Sequence, residues 1–404
     1  MNLSPVVLPN DLITEVLSVL PVKSLVRFKC VCNHFKTLIS DPTFVKLHLK
    51  RSTTPNMLFP FVKCHDLDIS GRSCFYIWLD CTIVQYPIRR LLDNPSFTLF
   101  DGLNYFLNQK GCSYIVGSCN GLILLAGDFI NFRCNIEYHR TIDYWLCVWN
   151  PATRKISKNF GHFREYGRTS GKQFFFAFGC DDLKDNYKVV AYACNRYEFL
   201  SEVRVLSLGD DVWRNVESFP VVPLLPNYVY LSGTLNWLAI QNEDISVEKF
   251  VIVSLDLRTE TYNQYLLPPC VDQESPREPI FGVLGGCISL SYCYKETDFV
   301  IWQMKQLGIQ DSWTRFLKIS YQNLEISNDL VRKYNFHLMP LFLSNDTLVL
   351  MNRQESQAIL YNWRDNRVKR TNIIVGSGIT DHVTSSFLNW EFVKGYVESL
   401  VPVF

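Results

Sequence analysis

Net charge, long apolar runs and paired cysteine motifs are all scarce in this 404-residue chain, and each shortage removes a class of function. Forty Lys and Arg stand against 39 Asp and Glu, leaving +1 at neutral pH. With no basic stripe, nothing argues for nucleic acid or for an anionic membrane surface as partner. No stretch approaches the roughly 18 consecutive apolar residues a spanning helix needs. The N-terminus lacks the basic segment, apolar core and small-residue cleavage site of a secretion signal. An intracellular protein, cytoplasmic, nuclear or both, is therefore expected. Cysteine is plentiful at 14, but C-x-x-C pairs are missing; Cys30-Val31-Cys32 and the Cys134 to His139 spacing come nearest to a ligand set. In a reducing compartment such cysteines read as small buried hydrophobes, and neither metal nor cofactor is expected.

What is present is apolar and aromatic: 48% and 14% of residues, enough for one small and one large domain with a sizeable core. The small one comes first. Pro9 suits the first position of a helix, Asn10 and Asp11 place polar groups in its first turn, and Pro21 stops it. Leu12, Ile13, Val16, Leu17 and Leu20 form an apolar stripe wider than one helix needs to sit on a small domain. Two more short apolar-periodic pieces follow, and Asp41-Pro42 reads as an N-cap and first-turn proline opening a further helix. A helical unit this small buries too little surface to stand alone, so the body or a second protein should cover it. Residues 1–51 carry seven Lys and Arg against three Asp and Glu, a net +4 on the head and −3 on the rest. Such a head would be drawn to an acidic partner.

The string L-P-x-D-L-x-x-E-V-L-x-x-L-P-V-K-S-L-x-R-F-x-x-V-C over residues 8–49 resembles the F-box. That motif docks substrate receptors onto the Skp adaptor, and through it onto the cullin, of Skp–cullin–F-box ubiquitin ligases. Position by position, the resemblance implies adaptor docking by Leu8, Pro9, Leu12, Ile13, Val16, Leu17, Pro21, Val22, Leu25, Phe28, Val31, Cys32 and Phe35. Sequence alone does not apportion them between the adaptor and the head's own core. The expected organisation is an all-α head at 1–50, a link at 51–57 and a body at 58–404.

The body repeats. Turns at Asn120-Gly121, Ser232-Gly233, Gly285-Gly286 and Asn345-Asp346 each separate two apolar runs, and these pairs tolerate the positive φ that tight hairpins require. Each hairpin is followed by a second strand pair, such as Leu146–Lys155, Val205–Trp213, Ile252–Tyr262, Val300–Trp313 and Leu360–Val368; a further unit runs from Phe174–Phe178 to Tyr187–Val190. A period of about 50–60 residues with four strands per unit predicts a β-propeller, which also removes the exposed edges of a large open sheet. Five blades fall between 112 and 375. Leftover strands at 58–62, 75–78, 383–393 and 396–403 suit a sixth blade built from both chain ends. Seven blades, with 80–110 supplying one, and a two-sheet β-sandwich are the alternatives.

G-S-C-N-G-L-I-L-L, V-W-N-P-A-T-R-K, F-G-C-D-D, Y-L-S-G-T-L-N-W-L-A and S-L-D-L-R-T-E-T-Y together resemble the F-box-associated interaction domain of plant F-box proteins. The resemblance implies capture of a protein target for ubiquitination. The regular spacing of true kelch repeats is absent. Loops at 126–144, 158–173, 194–201 and 268–280, held on one face of a rigid scaffold, are the expected contacts.

A free-standing propeller enzyme or carbohydrate binder is the other class. Gly117-Ser118-Cys119-Asn120-Gly121 fits a cysteine nucleophile elbow, but that device needs a helix after it, and the apolar run Leu122–Ala126 reads as a strand. His65, His139, His162, His337 and His382 are scattered singly, and the tryptophans Trp145, Trp149, Trp213, Trp237, Trp302, Trp313, Trp363 and Trp390 mostly recur inside strands, as core residues would. A non-catalytic receptor is the expectation.

Overall fold

The computed structural model describes residues 8–52, 55–65, 77–98, 103–106, 111–112, 114–135, 137–168, 172–195, 200–210, 212–224, 226–241, 250–268, 278–332, 336, 338–352, 357–374, 384–388 and 393–404. Four helices open the chain: α1 (Asn10–Leu17), α2 (Val22–Phe28), α3 (Asn33–Ser40) and α4 (Pro42–Arg51). Asp41 caps α4 as the sequence indicates, its Oδ1 accepting the Thr43 amide at 2.8 Å, with Pro42 in the first turn. Pro9 sits one place earlier than expected. It is the cap of α1, at φ −58° and ψ 142°, an extended geometry a proline adopts freely.

Six four- or five-stranded antiparallel sheets follow. Five are continuous in sequence. Blade 2 holds Tyr114–Cys119, Leu122–Asn135, Glu137–Asn150, Lys155–Ile156 and Phe160–Arg168; blade 3 runs from Phe175–Asp181 to Arg214–Asn215; blade 4 spans Val222 to Leu266, blade 5 Ile280 to Ser320 and blade 6 Leu338 to Arg370. Blade 1 joins the two ends: Pro55–His65 pairs Ile77–Pro87 on one side and, on the other, Thr384–Leu388 and Lys394–Val397 near the C-terminus. Thus the ring is closed by hydrogen bonds between chain ends, in six blades. No seventh lies at 80–110, where the described residues give blade 1 the strand Ile77–Pro87 and its neighbour Leu103–Phe106, with the short helix Ile88–Asp93 and the strand Ser96–Thr98, which pairs in parallel with Asn372–Ile374, between them.

Six apolar clusters, one per seam, carry the ring. Met57, Val84 and Tyr86 of blade 1 pack on Val349, Met351 and Leu360 of blade 6, and Leu58, Ile83 and Tyr396 pack on Ile115, Ile123 and Leu125 of blade 2. Between blades 3 and 4, fully buried Trp237 lies edge-on to Tyr192 at 5.5 Å and to Phe219 at 5.0 Å. The same seam holds an ion cluster, buried at Lys188 and open to solvent at Arg214: Lys188 Nζ donates to Glu260 Oε1 at 2.7 Å and to the Leu257 carbonyl, and Arg214 pairs with Glu260. Burial acts to raise the Glu260 carboxyl, yet the hydrogen bonds from Arg214 and Lys188 hold it below its usual range.

Hairpin turns follow the sequence reading with one exception. Asn120 (φ 50°) and Gly121 (φ 81°), Ser232 (47°) and Gly233 (75°), and Gly285 (59°) and Gly286 (75°) all take positive φ, as two-residue turns require. The Asn345-Asp346 turn closes its hairpin without it, although Ser344 N–H bonds the Thr347 carbonyl at 2.9 Å across the same two residues. After Val397 the chain leaves the sheet, so the strand expected at 396–403 ends early. Its last residues run from blade 1 to blade 3: Gln85 Nε2 meets Glu398 Oε1 at 3.4 Å, and Phe404 packs on Tyr187.

Burial pushes the Glu398 carboxyl up, while Gln85 and nearby His48 pull it back. The folded-state value thus lies above the unfolded one, so ionised Glu398 carries a penalty at neutral pH that disappears as pH falls below the unfolded value. Glu398→Gln is expected to melt about 1–2 °C above the parent at pH 7.5, with the gap closing near pH 4. Thermal melts of both chains across that range check this.

Candidate protein-interaction surfaces

In the head, the wide apolar stripe of α1 is divided by burial. Leu17, Val22, Leu25, Ile39 and Phe44 are buried, and Phe28 meets Phe35 edge-on at 5.8 Å, closing a small core. Ile13, Phe28 and Phe35 are half-buried against it. His48, also buried, ties α4 to the end of the first helical segment through its Nε2 and the Leu20 carbonyl at 2.9 Å. Arg51 does the same from the exposed side, its Nη2 donating to Glu15 Oε1 at 3.0 Å, which holds that carboxyl below its usual range.

The other side of α1 is bare. Leu8, Leu12, Val16 and Val19 follow one another at helical spacing and are 57%, 54%, 63% and 66% exposed. Val31, 67% exposed, projects between Cys30 and Cys32, both exposed, at the turn joining α2 to α3. Pro9 and Pro21 are exposed as well. Of the thirteen residues carried over from the motif, Leu8, Pro9, Leu12, Val16, Pro21, Val31 and Cys32 therefore face solvent, and Leu17, Val22 and Leu25 are core. The motif reading missed Val19 and Val26, which join the exposed set. Exposed apolar side chains clustered on one helix face are the signature of a surface completed by a partner.

The head does not need the body to cover that stripe, because it uses another side to sit on the propeller. Its core residues belong to one continuous cluster with Leu122 and Leu124 of blade 2, and Phe178 and Val189 of blade 3. Lys46 pairs with Asp185 in the first hairpin turn of blade 3. That turn, like Asn120-Gly121, belongs to the face carrying the first hairpin of each blade. The contacts expected at 126–144, 158–173, 194–201 and 268–280 all belong to the opposite face. There the structure corrects their form. Residues 126–144 are mostly the long strands Leu122–Asn135 and Glu137–Asn150, and 158–173 contains the strand Phe160–Arg168. Residues 269–277 and 196–199, with His337, His382 and Trp390, lie outside the described residues. On this three-stranded extension Phe129 and Tyr166 are exposed, beside the Arg164–Asp143 pair.

A catalytic site is not assembled at the elbow-like motif. Cys119 ends a strand, is followed by a hairpin and another strand, and is buried, which pushes its thiol well above the usual range. Among the described residues no group of His, Cys, Asp and Glu has the geometry to hold a metal ion, and no helix is long and apolar enough to cross a membrane. Trp149, Trp237 and Trp313 are buried, and Trp213 packs between blades 2 and 3 on Phe163, as seam residues.

Comparison with known proteins fits both halves. The family model for the F-box domain matches residues 7–47, and that for the F-box associated beta propeller domain matches residues 88–403. The chain belongs to the plant F-box proteins. Among its relatives in Arabidopsis thaliana, an F-box/kelch-repeat protein is 28% identical over 368 residues, covering 90% of each chain. F-box protein CPR1 is 24% identical over 369 residues (85% of this chain, 81% of the relative), and Protein SUPPRESSOR OF NIM1 1 is 23% identical over 400 (92% and 94%). For this F-box protein, the exposed stripe of the head and the propeller face opposite it are the two candidate interaction surfaces.

Proposed function

We propose that this F-box protein is the substrate-recognition subunit of a Skp–cullin–F-box ubiquitin ligase, cytoplasmic, nuclear or both. The stripe Leu8, Leu12, Val16 and Val19, with Pro9, Pro21, Val31 and Cys32, docks a Skp-family adaptor; the cullin is engaged only through that adaptor. Leu17, Val22, Leu25, Ile13, Phe28 and Phe35 act one layer beneath, by holding the helices that present the stripe. The propeller captures a protein target by the loops and extended strands of the face away from the head. The chain supplies no reacting group. It raises the effective concentration of a target lysine near the ubiquitin-charged enzyme by holding two binding surfaces at one separation.

The observation that carries this reading is the uncovered apolar stripe on a head whose core is already closed against blades 2 and 3. The head's net +4 adds attraction toward an acidic partner. Co-purification of a tagged Skp-family adaptor with the full chain, beside a chain in which Leu12 and Val16 are replaced, tests it. Capture by the parent alone is expected; equal capture by both, or by neither, overturns it.

A further inference from the structure

The covalent link between head and propeller is short, running only from the end of α4 at Arg51 to the strand beginning at Pro55. A link of that kind limits distance but leaves angle to the packing around it. The packing comes from the far end of the chain. Lys394–Val397 pairs with Pro55–Leu58, the residues that receive the chain from the head, so the C-terminus enters at the head's exit. Asn150, fully buried in blade 2, donates its Nδ2 to the carbonyls of Ser399 at 3.2 Å and Val401 at 2.8 Å, while its Oδ1 accepts the Thr153 amide at 3.2 Å. Leu400 and Val401 thereby enter the same apolar cluster as Leu17, Val22, Phe44 and Val45 of the head. Phe404 ends on Tyr187, two residues from Asp185, the partner of Lys46. Gly121 is closed in by Ser399 and the Val397 carbonyl, so the tail is fitted against the blade 2 hairpin as well.

We propose that the segment Glu398–Phe404 is a clamp: it wedges into the seam between the head and blades 2 and 3 and sets the angle at which the head is held. For the ligase reading, on which only this consequence rests, the clamp would fix the separation between the adaptor-docking stripe and the target-capturing face. One end of the chain would then both close the propeller and orient the head.

Hydrogen exchange on the full-length protein tests the clamp directly. Asn150→Asp keeps the acceptor for Thr153 but replaces the donor by an acceptor facing two carbonyls. The expected result is exchange about tenfold faster in residues 399–404 and in α4, with the buried strands Leu122–Ala126 and Val189–Ala191 unchanged. Val401→Ser, which leaves Asn150 alone, should give the same pattern and carries the test if Asn150→Asp does not fold. Faster exchange in the tail with α4 unmoved would overturn the proposal, as would an equal rise through blades 2 and 3, since Asn150 and Val401 would then be ordinary propeller core. Failure of the parent chain to bind a Skp-family adaptor would sink the ligase reading and leave this result standing.

Discussion

Replacing Leu12 and Val16 together by glutamate is expected to weaken adaptor binding by at least about 100-fold while leaving the fold in place. Burying an aliphatic side chain at an interface contributes about 1.5 kcal/mol or more, so losing two removes about 3 kcal/mol, roughly a factor of 150. Two carboxylates at an apolar interface add desolvation cost, and they halve the head's +4. The fold should tolerate them because both positions are more than half exposed and glutamate suits a helix better than valine. Titration calorimetry with a Skp-family adaptor measures the first effect and circular dichroism the second. Wild-type affinity in the variant would remove the stripe from the account.

Trp237→Ala should do the reverse, destroying the fold from a position remote from the head. Its indole is fully buried between blades 3 and 4 and touches Tyr192 and Phe219 in edge-on geometry. Truncating a tryptophan so placed costs about 3–5 kcal/mol, a large part of the stability of an ordinary domain. Because the ring closes through six seams, opening one leaves its neighbours with unpaired faces. Loss of soluble protein, or a melting temperature lowered by about 10 °C, is the expected outcome of a thermal melt. A variant melting within 2–3 °C of the parent would show that this seam carries little of the stability.

The propeller was legible because its turns are written in residues that tolerate positive φ. Asn120-Gly121, Ser232-Gly233 and Gly285-Gly286 mark the first hairpins of blades 2, 4 and 5, and the spacing between them gives the period from which the other blades are counted. Blade 1 was legible by subtraction, since strands at both ends lacked partners. Its parallel seam, Ser96–Thr98 on Asn372–Ile374, has no local signal, being made by residues far apart in the chain. In the head the helices were readable but their facing was not. Residues at i, i+1, i+4 and i+5 span both sides of α1, and only the positions of the other helices decide that Leu17 is core and Val16 is not. Val19 escaped notice because it falls at a position the motif leaves open, between Leu17 and Leu20. The tail after Val397 reads as strand from composition; it is drawn off the sheet by Asn150, whose two hydrogen bonds to its carbonyls no pattern announces.

The central claim is that the bare side of the head is completed by another protein, and a thiol footprint tests it at single residues. Cys30 and Cys32 flank Val31 and are the cysteines exposed among those described. Alkylation of the free chain followed by peptide mass spectrometry should label both readily, and addition of a saturating Skp-family adaptor should slow that labelling by about tenfold or more, with buried Cys147 and Cys180 unlabelled throughout. Unchanged labelling of Cys30 and Cys32 in the presence of bound adaptor would contradict the account.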